Sequence, residues 1–173
     1  MQSPVPRLAT LEDLAGINSI YNHYVLTSTA TYQTSPETTG ARHAWFTGRD
    51  QTTHPVMVVE LNDQIAAWGS ISPFGKREAF ACTVENSIYV HPDFQRQGLG
   101  RMLLLGQMAH AARVGHHTII AAISAEQSGS LALHFAQGFT ESGRLREAGW
   151  KFGQWLDLVY LQKMVQTPRP PGD

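Results

Sequence analysis

Val84 to Arg101 reads Val-Glu-Asn-Ser-Ile-Tyr-Val-His-Pro-Asp-Phe-Gln-Arg-Gln-Gly-Leu-Gly-Arg and carries the side chains and spacings best suited to chemistry. Within it, Gln95-x-x-Gly98-x-Gly100 stands between an alternating apolar segment and a long apolar one, so a glycine-rich turn joins a strand to a helix. Glycines let the backbone approach a ligand closely and turn successive N–H groups toward phosphate oxygens. A helix N-terminus adds about half a positive charge there. Arg96 and Arg101 offer charge-assisted contacts to the same group. By itself the pattern is unspecific, because most glycine pairs at this spacing only tighten a turn. It lacks the Lys-Ser/Thr of a P-loop and the βαβ unit with a distal acidic residue of a dinucleotide site. Glu85, which precedes the turn, has the chemistry of a general base. An isolated strand glutamate is otherwise a solvent-facing residue.

Periodicity predicts the elements that must position these residues. Val5 to Ala9 fits a short first strand. Thr10-Leu11-Glu12-Asp13 has the form of a capping box, and Leu14, Ile17, Tyr21, Tyr24 and Val25 continue at helical spacing, giving a first helix over 11–25. Ser35-Pro36 suggests an N-cap with proline at the first helical position, and a second helix over 37–48 burying Trp45 and Phe46. Pro55–Leu61, the turn Asn62-Asp63 and Ile65–Ile71 form a hairpin. Ala79–Val90 alternates, with Phe80, Cys82, Val84, Ile88 and Val90 on the core-facing parity and Thr83, Glu85, Ser87 and Tyr89 on the other. A bulge would reset that alternation.

Gly98–Val114 is apolar around most of its circumference and ends at Gly115, which fits a helix covered on several sides. Thr118–Ile123 is a strand. Ser128–Gln137 is a short helix with Leu131, His134 and Phe135 inward, stopped by Gly138. Two late strands, Phe139–Arg146 and Gln154–Met164, flank a glycine-rich loop from Gly149 to Gly153. The order gives an α/β domain with a mixed central sheet and helices on both faces.

The length of 173 residues fits one domain over 1–166, with a Pro-rich tail over 167–173 expected to be disordered. A formal net charge of −1 without a basic run argues against nucleic acid or a membrane surface as partner. No stretch approaches the roughly 18 apolar residues of a membrane span, and no signal peptide is recognisable. The single cysteine, Cys82, fits a reducing compartment, so a cytoplasmic location is expected, and its parity suggests a buried structural thiol. His110, His116 and His117 have no acidic partner at ligand spacing, so no metal site is expected and all three read as surface residues.

Ile88-Tyr89-Val90-His91-Pro92 followed by Gln-x-x-Gly-x-Gly resembles the acetyl-CoA motif of the GCN5-related N-acetyltransferase family. The resemblance runs from about Leu8 to Val165 and narrows to the phosphinothricin and methionine sulfoximine acetyltransferase subgroup. It is carried by Ile20-Tyr21-Asn22-His23, Thr83-Val84-Glu85, Leu133-His134 and Gly138-Phe139, and by the segment from Gly143 to Asp157 with Gly149-x-Lys151-Phe152-Gly153-x-Trp155.

The resemblance implies an acyl-CoA N-acyltransferase fold and acetyl transfer to a small amino-acid-like amine by direct attack in a ternary complex, with acetyl-CoA as co-substrate and no metal. It implies that the backbone of Gln95, Arg96, Gln97, Gly98, Leu99, Gly100 and Arg101 holds the pyrophosphate, and that Ile88, Tyr89 and Val90 pair strand-like with the pantetheine arm. Gln127 stands where the family has an asparagine near that arm, and Ser130 follows in the same helix start. Glu85 matches the catalytic carboxylate and His134 the subgroup histidine that protonates the thiolate or orients the amine. For the acceptor it implies Tyr32 as an aromatic wall, Arg77 gripping a carboxylate, and Phe74, Phe80, Glu85 and Ser87 around it. Phe80 replaces a frequent tyrosine and Gly75-Lys76 a different basic arrangement. The resemblance also implies a homodimer, the form this subgroup tends to take. Other amines (a polyamine, an aminoglycoside, a protein N-terminus) and a non-catalytic acyl-CoA-binding domain stay open as alternatives.

Overall fold

Asn62 and Asp63 both take left-handed backbone, φ 51° and 59°, as a two-residue hairpin turn requires. They join β2 (Val56–Leu61) to β3 (Gln64–Pro73). The computed structural model, which describes residues 4–165, builds a seven-stranded sheet around this hairpin. A two-residue β1 (Arg7–Leu8) pairs with β2, and β4 (Thr83–Val90) pairs antiparallel with β3. Next, β5 (Thr118–Ser124) is parallel to β4, and β6 (Thr140–Lys151) and β7 (Gln154–Met164) complete the order β1-β2-β3-β4-β5-β7-β6. The expected tail over 167–173 lies outside the described residues.

Helices α1 (Leu14–Thr27) and α2 (Thr39–Thr47) cover one face, where Leu14, Ile17, Ile20 and Phe46 pack on Val56, Val58 and Trp68. Helices α3 (Leu99–Val114) and α4 (Ser128–Ala136) lie against the other. There Leu104 and Ala111 meet Ile71, Val84 and Ile119, and Leu99 and Leu103 meet Met57, Val59 and Ala67. The capping box is present: Asp13 accepts from the Thr10 backbone N–H at 2.7 Å and starts the entry to α1. Gly115 and Gly138, φ 93° and 80°, end α3 and α4 in left-handed backbone.

Several expectations are corrected. The strand expected from Ala79 begins only at Thr83, because Glu78–Phe80 form a 3-10 turn and Phe74 closes on Phe80 edge to face at 5.5 Å. Phe80 and Cys82 are therefore exposed, not core. Thr38, not Ser35, caps α2, accepting from the Ala41 N–H at 3.1 Å. The strands on either side of the Gly149–Gly153 stretch continue through most of it, leaving only Phe152 and Gly153 to turn, and Phe135 faces outward. His110 and His116 are buried, each placed with Nε2 2.9 Å from the carbonyl of Thr52 or Thr53, where they pin the loop ahead of β2.

Candidate active site

The parallel ladder between β4 and β5 stops at Asn86 opposite Ala121. Both strands continue past it, so they part and a cleft of about 880 Å³ opens between them. Two bonds at the ends of the β3–β4 ladder, Phe74 N–H to Thr83 and His91 N–H to Ala66, fix the alternation of the antiparallel pair. Odd-numbered residues of β4 spend their N–H and C=O on β3. The even-numbered Ile88 and Val90 therefore turn theirs to the cleft, a backbone edge to which an extended ligand can add as a strand does. The Tyr24 hydroxyl donates to the Val90 carbonyl and in turn accepts from Gln95 Nε2 at 2.9 Å, tying the turn to the strand end.

The turn leaves β4 through Pro92–Phe94 and enters α3 at Gly98. Arg96 and Gly98 have φ of 62° and 82°, so successive N–H groups are exposed at the start of a sixteen-residue helix. Gly100 lies against Leu133, Val90 and Ile88, with a Cβ placed 3.3 Å from the Leu133 side chain. Arg96 and Arg101 are exposed on the cleft rim. The arrangement suits a diphosphate at the helix start and an extended arm along β4.

On the opposite parity, Glu85 and Ser87 face the α1 side of the same cleft. Glu85 is half-buried, and burial raises its carboxyl above the usual glutamate value. The Ser87 hydroxyl is 3.0 Å from that of Ser70. The wall across from Glu85 comes from the loop after α1. Tyr32 packs on Gly149, where a Cβ would stand 2.8 Å from the ring, and its hydroxyl donates to the Asp157 carbonyl at 2.9 Å. Lys151, buried, donates to the carbonyls of Ser28 and Thr31, both at 2.7 Å, and so holds that loop to the end of β6. Gln127 lines the cleft with its Nε2 committed to Thr29 Oγ1 at 2.8 Å.

His134 is buried at 3% exposure, its Nδ1 2.8 Å from the Ser130 carbonyl and its Nε2 3.2 Å from Asn86 Nδ2. Burial lowers its pKa, which favours the neutral ring.

The structure brings fifteen of the nineteen expected residues to this one cleft: Tyr32, Glu85, Ser87, Ile88, Tyr89, Val90, Gln95, Arg96, Gly98, Leu99, Gly100, Arg101, Gln127, Ser130 and His134. Gln97 is exposed in the turn, and Phe74, Arg77 and Phe80 lie exposed on the β3–β4 loop, outside the lining. Asn86, Gln107, Thr31 and Lys151 were missed. Asn86 left a signal, a polar residue between Val84 and Ile88 on the core parity of an alternating strand. Among the described residues no group of three or more His, Cys, Asp or Glu is placed to hold a metal ion.

Comparison with known proteins agrees with this geometry. The acetyltransferase (GNAT) family pattern matches residues 17–139. The L-methionine sulfoximine/L-methionine sulfone acetyltransferase of Salmonella typhimurium is 37% identical over 165 residues, covering 95% of this chain and 96% of its own length. The phosphinothricin N-acetyltransferase of Streptomyces viridochromogenes is 35% identical over 167 residues, covering 95% and 90%. A putative acetyltransferase from Salmonella typhimurium, solved with its cofactor acetyl-CoA, superposes with a TM-score of 0.94 at 36% identity over 98% of each chain. A parted β4–β5 pair, a glycine turn at the α3 start and these matches converge on one conclusion: the chain belongs to the GNAT acetyltransferase family.

Proposed function

We propose that this protein transfers the acetyl group of acetyl-CoA to the primary amine of a small amino-acid-like substrate such as methionine sulfoximine or phosphinothricin. The observation that carries the reading is Glu85, half-buried at the lip where β4 leaves β5, in the same cleft as the phosphate-suited turn. The relatives named for these two acceptors match nearly the full length of the chain. The residues present fit acetyl-CoA: N–H groups of 96–101 for the pyrophosphate, Arg96 and Arg101 for its charge, and the β4 edge at Ile88 and Val90 for the pantetheine amides.

In this reading Glu85 takes a proton from the substrate ammonium, directly or through one water. The raised carboxyl pKa makes it a better base than an exposed glutamate. The freed amine attacks the thioester carbon, and an N–H of the β4 edge takes up the charge developing on the carbonyl oxygen. As the C–N bond forms and the C–S bond breaks, coenzyme A leaves as a thiolate. The nitrogen sheds its second proton, which ends on the thiolate or in solvent. No acyl-enzyme is needed, because the cleft holds both reactants.

Tyr32, Ser87 and the β3–β4 loop with Phe74, Arg77 and Phe80 would surround the acceptor. Arg77 grips its carboxylate if that loop closes over the bound substrate. Exposed Trp150, Phe152 and Trp155 near the β6–β7 turn support a homodimer. The free Cys82 and the lack of any membrane-length apolar helix among the described residues support a cytoplasmic site of action.

A panel of amines assayed by thiol release, with a structure containing coenzyme A and methionine sulfoximine, tests the proposal. Expected are acetylation of the amino acid analogues, Glu85 facing the amine and Arg77 at the carboxylate. Strong turnover of carboxylate-free amines would move the acceptor class. Tight acetyl-CoA binding without acetylation of any amine would overturn the enzyme reading.

A further inference from the structure

From the cleft wall at His134 and Asn86 inward to Gln107 runs a chain of side chains whose donors and acceptors follow from chemistry. Gln107, fully buried on α3, sets one amide atom 3.1 Å from the Ser87 carbonyl and 3.3 Å from that of Ser70. Carbonyls only accept, so that atom is Nε2 and the other is Oε1. Oε1 stands 3.2 Å from an amide atom of Asn86, which must be Nδ2. The same Nδ2 is 3.2 Å from His134 Nε2 and donates its second hydrogen there, so Nε2 carries a lone pair. On the far side of the ring Nδ1 lies 2.8 Å from the Ser130 carbonyl and must hold the proton. Each link forces the next.

From this geometry we infer that Asn86 and Gln107 are positioning residues that lock His134 as the neutral Nδ1–H tautomer, so that it serves as a fixed wall and not as an acid toward the departing thiolate. The lock has a visible cost: with both hydrogens committed, Asn86 Oδ1 is buried without a partner among the described residues. Such an orphan persists where the amide is held for another purpose. The ring is otherwise flanked edge-on by Phe139 at 5.0 Å, and burial, not a charged neighbour, is what holds its pKa down.

The acetyl-transfer reading matters here only for the effect on turnover; the tautomer can be read without any acceptor. Long-range proton–nitrogen correlation on the uniformly 15N-labelled full chain reports both ring nitrogens, with His134 assigned by the signal lost in His134→Gln or by contacts to Phe139. The expected result at pH 7 to 9 is a protonated Nδ1 and an unprotonated Nε2. A protonated Nε2, an averaged pair or an imidazolium at pH 7 would overturn the assignment, and this holds even if no variant folds. Asn86→Asp places a carboxylate against Nε2 and should put a proton there. Asn86→Leu should lower kcat roughly tenfold while the KM for acetyl-CoA changes less than twofold. An intact kcat in Asn86→Leu would refute the positioning role. A locked tautomer in a protein that acetylates nothing would sink the proposed function and leave the lock standing.

Discussion

Asn86 and Ala121 form the last rung of the β4–β5 ladder, and the strands run on to Val90 and Ser124 beyond it. That one interruption supplies three things at once. It frees the backbone of Ile88 and the N–H of Val90 for an extended ligand, the Val90 carbonyl being held by Tyr24. It leaves Glu85 at the lip of the cleft on one parity. It also sets Asn86 against Gln107 and His134 on the other.

Replacing Glu85 by Gln removes the proposed base without changing size. Turnover should fall by roughly 100-fold or more, within the range of general base catalysis, with acetyl-CoA affinity by calorimetry unchanged. Equal losses in both quantities would count against a base.

The raised carboxyl of Glu85 has two consequences of opposite sign. The reactive form is the carboxylate, so kcat/KM should rise with pH through a limb above the usual glutamate value, and Glu85→Gln should lack that limb. For stability, the native state holds the proton longer than the unfolded chain, so Glu85 destabilises as pH rises between the unfolded and folded pKa values. Thermal melts at pH 7.5 should find Glu85→Gln at least as stable as wild type; a clear drop would argue that Glu85 is instead a structural anchor.

Gly98 adopts φ 82°, and nothing lies within 4 Å of where a Cβ would stand, so an added methyl meets backbone strain and no clash. Gly98→Ala should cost about 1–2 kcal/mol at this turn and weaken acetyl-CoA binding, leaving the acceptor KM nearly unchanged. An unaltered coenzyme A dissociation constant would remove the turn from the cofactor site.

At Gly149 the situation is reversed, since a Cβ would stand 2.8 Å from the Tyr32 ring. Gly149→Ala must displace that ring and should raise the KM for the amine several-fold, with little change for acetyl-CoA. Steady-state kinetics with each substrate varied in turn separates the two.

Asp13 accepts from Arg7 at 2.7 and 2.8 Å and from the Thr10 N–H at 2.7 Å, and the Arg7 bond first of all holds its carboxyl below the usual aspartate value. Its contribution is complete above the unfolded value of about 3.9 and is lost as pH falls through the lower folded value. Asp13→Asn should cost about 1–3 kcal/mol in urea unfolding at pH 7, and the cost should shrink progressively as pH falls below about 3.9. A cost independent of pH would assign the effect to packing.

Local chemistry made much of this legible in the chain. Thr10 and Asp13 announce a cap, Asn62-Asp63 a hairpin turn, Gly115 and Gly138 helix ends, and Gln95-x-x-Gly98-x-Gly100 a tight strand-to-helix turn, because each depends on neighbours a few residues away. Phe80 and Cys82 misled, since their alternation matched a strand that the Phe74–Phe80 contact turns into a loop. His110 and His116 looked like surface residues because their partners, the carbonyls of Thr52 and Thr53, are 58 and 63 residues distant. Residue order alone was enough for most of the elements and their order, and the family resemblance singled out the turn and the candidate base. Where the β4–β5 ladder ends, and which buried groups meet behind it, depended on long-range packing. Asn86, Gln107 and His134 have no local spacing in common, and only packing α3 and α4 on one sheet face brings them together.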